Sequence, residues 1–149
     1  MSQEDHVRSA YLRAIAVDYA KHFIETPYKY GGDDFSGFDC SGFVIEVLQG
    51  VGILPHGHDY SAHDLYTIFK PGRVEAGYAG CLAFWLDDAG RAVHVMLMVD
   101  NGHVIGASGG GSKTDDLADA IRDNAFIKMR PLNYRSGTLI MVDSFKTVS

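Results

Sequence analysis

Gly37-Phe38-Asp39-Cys40-Ser41-Gly42-Phe43 joins a loop rich in Gly and Asp to an apolar run, and its reading decides the fold. Asp39 is a helix-capping type, Ser41 and Gly42 are small, and Phe43, Val44, Val47 and Leu48 follow at helical spacing before Gly50. The spacing predicts a short helix with Cys40 in its first turn. A thiol at that junction meets unpaired N–H groups and the positive end of a helix dipole. Both favour thiolate over thiol and can hold an oxyanion formed beside the sulfur. A free cysteine is equally well a small buried hydrophobe, and the local sequence leaves both readings open.

Upstream, apolar residues recur at helical spacing from His6 to about Glu25 and predict an amphipathic helix ended by Thr26-Pro27. Downstream, Ser61 with Asp64 reads as a capping box for a weaker helix over Leu65, Ile68 and Phe69, stopped by Pro71-Gly72. The remainder reads as strands: Cys81–Leu86, Ala92–Val99, His103–Ala107, Ala125–Met129 and Thr138–Val142. Asp100-Asn101-Gly102 is a hairpin signal, with positive φ expected at Asn-Gly. Met96, Met98, Met129 and Met141 fall on these strands and read as core filler, as does Cys81. Gly109-Gly110-Gly111-Ser112 reads as a surface loop. Helices first and strands later imply an α+β domain with a mostly antiparallel sheet of five or six strands.

The chain has 149 residues, 46% of them apolar, which suits one domain over residues 1–149. Its 13 basic and 19 acidic residues leave a net charge of −6 with no basic cluster, which argues against nucleic acid as a partner. No apolar run is long enough to span a bilayer, and the polar, acidic opening does not read as a signal peptide. The expected location is therefore the cytoplasm. In a reducing compartment Cys40 and Cys81 are free thiols, not a disulfide.

A nucleophilic thiol needs a base. His94 is the polar residue inside the apolar run Ala92-Val93-His94-Val95-Met96-Leu97, where it is either that base or a core histidine bonded to a backbone carbonyl. His56, His58, Asp59, His63 and Asp64 crowd together, but no ligand set of standard spacing completes them. They read as a polar loop, with neither metal nor cofactor expected. Residues Ala107 to Thr114 fail as a phosphate loop, because Ala107 and Ser112 stand where glycines are required.

Thr26-Pro27-Tyr28-Lys29-Tyr30-Gly31-Gly32, then Asp39-Cys40-Ser41-Gly42-Phe43-Val44, then His94-Val95, resemble in this order the NlpC family of papain-like cell-wall peptidases. The resemblance implies a papain-like cysteine endopeptidase acting on peptidoglycan stem peptides or murein fragments. It implies cleavage at the D-γ-glutamyl bond to a diamino acid such as meso-diaminopimelate, with Cys40 as nucleophile and His94 as base. It also implies that Tyr28 lies beside the reacting carbonyl and that Asp39, Ser41 and Ser61 bind substrate, Asp39 and Ser41 at its amino end. The family's third polar position, which orients the base, falls at Gly106. His103, a bulge, a water or a backbone carbonyl is then left to orient His94, although on a regular strand His103 points to the opposite face. The alternative is a catalytically impaired relative that binds wall peptide or serves in phage tail assembly. A peptidase without a signal peptide implies either cytosolic recycling of wall fragments or a phage or prophage product delivered to the wall, with phage tail proteins as partners.

Overall fold

The computed structural model describes residues 2–34, 37–111 and 113–147. Ser112, in the predicted glycine loop, lies outside the described residues. Helix α1 (Gln3–Lys21) starts from a capping box: Ser2 Oγ accepts the Asp5 N–H at 3.1 Å and the Asp5 carboxylate accepts the Ser2 N–H at 3.2 Å. It buries Ala16, Val17 and Ala20 but leaves Val7 and Tyr11 exposed, so only its second half behaves as the expected amphipathic helix. It also stops short of Glu25. Glu25 adopts a φ of 77° and its N–H bonds the Ile127 carbonyl at 2.8 Å, turning the chain to run beside the sheet.

A small hairpin, β1 (Asp33–Asp34) with β2 (Gly37–Phe38), leads into α2 (Cys40–Gly50). Asp39 caps α2 through Oδ1, which accepts the Gly42 N–H at 2.7 Å. Phe43, Val44, Ile45, Val47 and Leu48 are buried, each contributing about 1.5–3 kcal/mol for the large apolar ones. That burial, more than intrinsic propensity, holds the helix in place, since Gly42 and three β-branched residues are poor helix formers. Helix α3 (Ala62–Phe69) starts from the expected box between Ser61 and Asp64.

The second half supplies β3 (Arg73–Val74), β4 (Leu82–Leu86), β5 (Ala92–Met98), β6 (His103–Ser108), β7 (Phe126–Pro131) and β8 (Thr138–Val142). They form one antiparallel sheet in the order β3-β8-β4-β5-β6-β7. Leu82, Phe84, Val95, Leu97 and Ile105 face the helices in the main core. Cys81, Ala83, Trp85, Met96, Met98 and Val104 face the other way, with Met141 packed on them, whereas Met129 stands on the edge strand and is exposed. Helix α4 (Leu117–Asp123), unforeseen in the sequence, links β6 to β7; it is capped by Asp116 and ended by Asn124 at a φ of 52°. The turn after β5 differs from the expected type. Asn101 and Gly102 lack positive φ, and Asp100 Oδ1 holds the turn by accepting the Gly102 N–H at 2.8 Å. Because β7 is an edge strand and β8 lies between β3 and β4, the chain from 132 to 137 must cross β6, β5 and β4 on the face away from the helices.

Candidate active site

Strands β5 and β6 pair only at Leu97–Ile105 and Met98–Val104, then separate. The Met98 N–H bonds Cys81 toward β4 and the Val99 N–H bonds His103 toward β6, so alternation aims the Val95 N–H at the opened seam. There it meets the sulfur of Cys40, the first residue of α2, which also receives the Ser41 N–H. These two donors favour thiolate, but burial outweighs them and the Asp39 carboxylate adds to it, so the thiol is pushed up from its ordinary value. Burial of the sulfur thus works against the thiolate that the helix start favours.

His94 reaches the same place through a bulge. Trp85 pairs with His94 but Leu86 pairs with Ala92, which leaves Val93 as the extra residue and turns it into the cleft. The imidazole is buried, and its centroid lies 5.3 Å from that of the Trp85 ring. Burial, with the nearby Arg135 charge, lowers its pKa to about 3, so the ring is neutral. Nε2 lies 2.8 Å from the hydroxyl of Tyr134, on the crossing segment between β7 and β8.

Of the sequence candidates for orienting the ring, His103 lies away from it. His103 is exposed and pairs with Asp100 at 3.0 Å on the far hairpin. Gly106 lies under Met96: a Cβ there would stand 3.0 Å from Met96 Cγ. Tyr134 escaped the sequence reading because its approach depends on the strand order, and a tyrosine in a polar turn carries no local signal.

Cys40 and His94 line one cleft of about 660 Å³ with Tyr28, Ser108, Gly110, Arg130, Tyr134 and Arg135. Tyr28 is carried there by a loop strapped to the sheet, its N–H bonding the Ala125 carbonyl at 2.9 Å. Burial, then the Cys40 and Asp39 charges, raise its pKa, so its hydroxyl stays protonated. Asp39, Ser41 and Ser61 do not line this cleft. Asp39 Oδ2 accepts the Gly31 N–H at 3.1 Å and Oδ1 also takes the Ser41 hydroxyl at 3.4 Å, so both oxygens organise the loop. Ser61 is an exposed cap.

The histidine-rich loop also has structural partners. His63 Nδ1 accepts the Ala92 N–H at 3.1 Å, His58 stacks on Tyr60, and Asp64 caps α3. Among the described residues no group of three or more His, Cys, Asp or Glu is disposed to hold a metal, and no helix is long and apolar enough to cross a membrane.

A thiol at a helix start, facing an imidazole on an antiparallel sheet, defines the architecture of a papain-like cysteine-hydrolase fold. The NlpC/P60 family model matches residues 25–131, a span that includes Tyr28, Cys40 and His94, and the chain belongs to that family. Protein P54 of Enterococcus faecium is 39% identical over 95 residues, 63% of this chain and 18% of that protein. The Bacillus subtilis (strain 168) protein named "Probable peptidoglycan endopeptidase LytE" is 59% identical over 33 residues, 22% of this chain and 10% of that one. The chain spans less than a fifth of either relative. The crystal structure of the NlpC/p60 domain of peptidoglycan hydrolase SagA superposes with a TM-score of 0.59 at 25% identity, covering 85% of this chain and 96% of that one.

Proposed function

We propose that the protein is a cysteine endopeptidase that hydrolyses peptidoglycan stem peptides at the D-γ-glutamyl bond to a diamino acid. The observation that carries this reading is that Cys40, at the start of α2, and His94, on β5, line the same cleft. Family membership and the relatives' names, peptidoglycan hydrolase among them, support the substrate class.

Both groups start neutral, so the first step is transfer of the Cys40 proton to His94 as the sulfur attacks the carbonyl carbon. The negative charge moves to the carbonyl oxygen, where the protonated Tyr28 hydroxyl and the N–H of Cys40, the first residue of α2, are the available donors. His94 then returns its proton to the leaving amine, giving a thioester. Water attacks the thioester with His94 again taking a proton, and the acid product leaves the regenerated thiol. A stem peptide presents several carboxylates. Arg130 and Arg135 give this cleft a positive wall on an otherwise acidic chain.

The deciding experiment is mass-spectrometric analysis of L-Ala-γ-D-Glu-meso-diaminopimelate-D-Ala incubated with the wild type and with Cys40→Ala. Cleavage at the γ-glutamyl bond by the wild type alone is expected. An intact peptide, together with intact sacculi, sinks the peptidase reading and leaves a wall-peptide binding protein.

A further inference from the structure

One hydroxyl group, that of Tyr134, engages Nε2 of His94. Tyr134 Oη lies 3.2 Å from Met96 Sδ and 2.8 Å from His94 Nε2. A thioether sulfur carries no hydrogen, so the proton in the first contact is the tyrosine's own. When that proton points at the sulfur, the oxygen is free to accept from Nε2; and with Nε2 engaged by Tyr134, Nδ1 is the nitrogen left to take the Cys40 proton, which it can do only if Nε2 carries the ring's hydrogen. The Ser108 side chain, bonded to the same oxygen, adds a further polar partner.

We propose that Tyr134 is a positioning residue that holds His94 in the Nε2–H tautomer, leaving Nδ1 as the basic atom, with Met96 and Gly106 as its supports. The inference rests on the reading of His94 as the base. Gly106 matters because a Cβ there would stand 3.0 Å from Met96 Cγ and 3.1 Å from Met96 Cε, displacing the sulfur that takes the Tyr134 proton. The tyrosine ring is itself fixed: Arg130 lies 4.6 Å over it and Trp85 meets it edge-on at 5.8 Å. The orienting group thus comes from the segment that crosses the sheet, not from β6. It works through a chain of contacts, Gly106 to Met96 to Tyr134 to His94, of which only the last touches the base.

The test combines nitrogen-15 NMR of the His94 ring with kinetics on the stem peptide, for the wild type, Tyr134→Phe and Met96→Leu. In the wild type Nε2 should be protonated and Nδ1 bare. Tyr134→Phe should mix the tautomers and lower kcat by about 10²-fold, the low end of what a positioned acid–base group contributes, with KM nearly unchanged. Met96→Leu keeps the apolar volume but frees the tyrosine proton, and should shift the tautomer toward Nδ1–H while lowering kcat. A wild-type ring protonated on Nδ1, or a tautomer unmoved in Tyr134→Phe, overturns the proposal. The NMR reading needs no turnover. Failure of the peptidase reading, seen as an inactive wild type, is therefore distinct from failure of the tautomer assignment.

Discussion

Arg13 Nη1 lies 3.0 Å from Oδ2 of Asp143, an ion pair that ties the middle of α1 to the residue after β8. The Asp143 side chain is fully buried and the same oxygen accepts the Tyr78 hydroxyl at 2.6 Å, so one carboxylate joins three separate segments. Removing it strands a guanidinium in a poorly solvated place. Asp143→Ala should cost about 3 kcal/mol of unfolding free energy in urea titrations, in the range for breaking a buried pair. A loss below about 1 kcal/mol, the worth of a surface pair, would show that the network is dispensable.

Burial of His94 links stability to acid. Its pKa is about 3 in the folded protein, whereas an unfolded histidine titrates near 6.5. As pH falls from 6.5 toward 3 the unfolded chain takes up a proton that the folded chain refuses, so stability drops by about 1.4 kcal/mol per unit from this group. His94→Gln lacks the linkage. The stability difference between wild type and variant, followed from pH 7 to pH 4, should move against the wild type by about 3 kcal/mol. Parallel curves would mean that the ring is solvated.

Thiol labelling separates the two cysteines. Cys81 is fully buried, with burial pushing its pKa to about 11, whereas Cys40 opens onto the cleft. Iodoacetamide at neutral pH should modify Cys40 and spare Cys81 in the folded protein. The Cys40 rate should keep climbing past pH 9, because its thiol is raised above the ordinary value. A rate that levels off below pH 7 would reveal a preformed thiolate and contradict the neutral pair.

Gly110 lies against the Tyr28 ring so closely that a Cβ there would overlap Cδ1, whereas a Cβ at Gly111 meets nothing within 4 Å. Gly110→Ala should push Tyr28 from its place and lower kcat/KM on the stem peptide by about tenfold, corresponding to about 1.4 kcal/mol. Gly111→Ala is the matched control and should leave kcat/KM unchanged. Equal activity in both variants would remove Tyr28 from the reaction.

The parts of the fold readable from the sequence are those fixed by neighbours along the chain. Helix α2 follows from its cap and its apolar spacing, α3 from the Ser61–Asp64 box, and the span Thr138–Val142 from β-branched residues between turn signals. The chain-order motifs around Tyr28, Cys40 and His94 likewise placed three residues of one cleft. What stayed hidden depends on contacts between distant segments. Strand β3 exists because β8 passes beside it, and the first half of α1 turns Val7 and Tyr11 outward, where they stay largely exposed. Tyr134 reaches His94 only because β8 inserts between β3 and β4. No spacing rule in the sequence encodes that crossing.

The opened seam between β5 and β6 has a consequence for how the nucleophile can be watched. The Val95 N–H, turned toward this seam, has the sulfur of Cys40 beside it. Acylation, alkylation or oxidation of the sulfur therefore changes what lies against a single peptide N–H. The hydrogen–deuterium exchange of the Val95 amide becomes a built-in gauge of whether the nucleophile is vacant or loaded, read from the backbone without a label on the thiol.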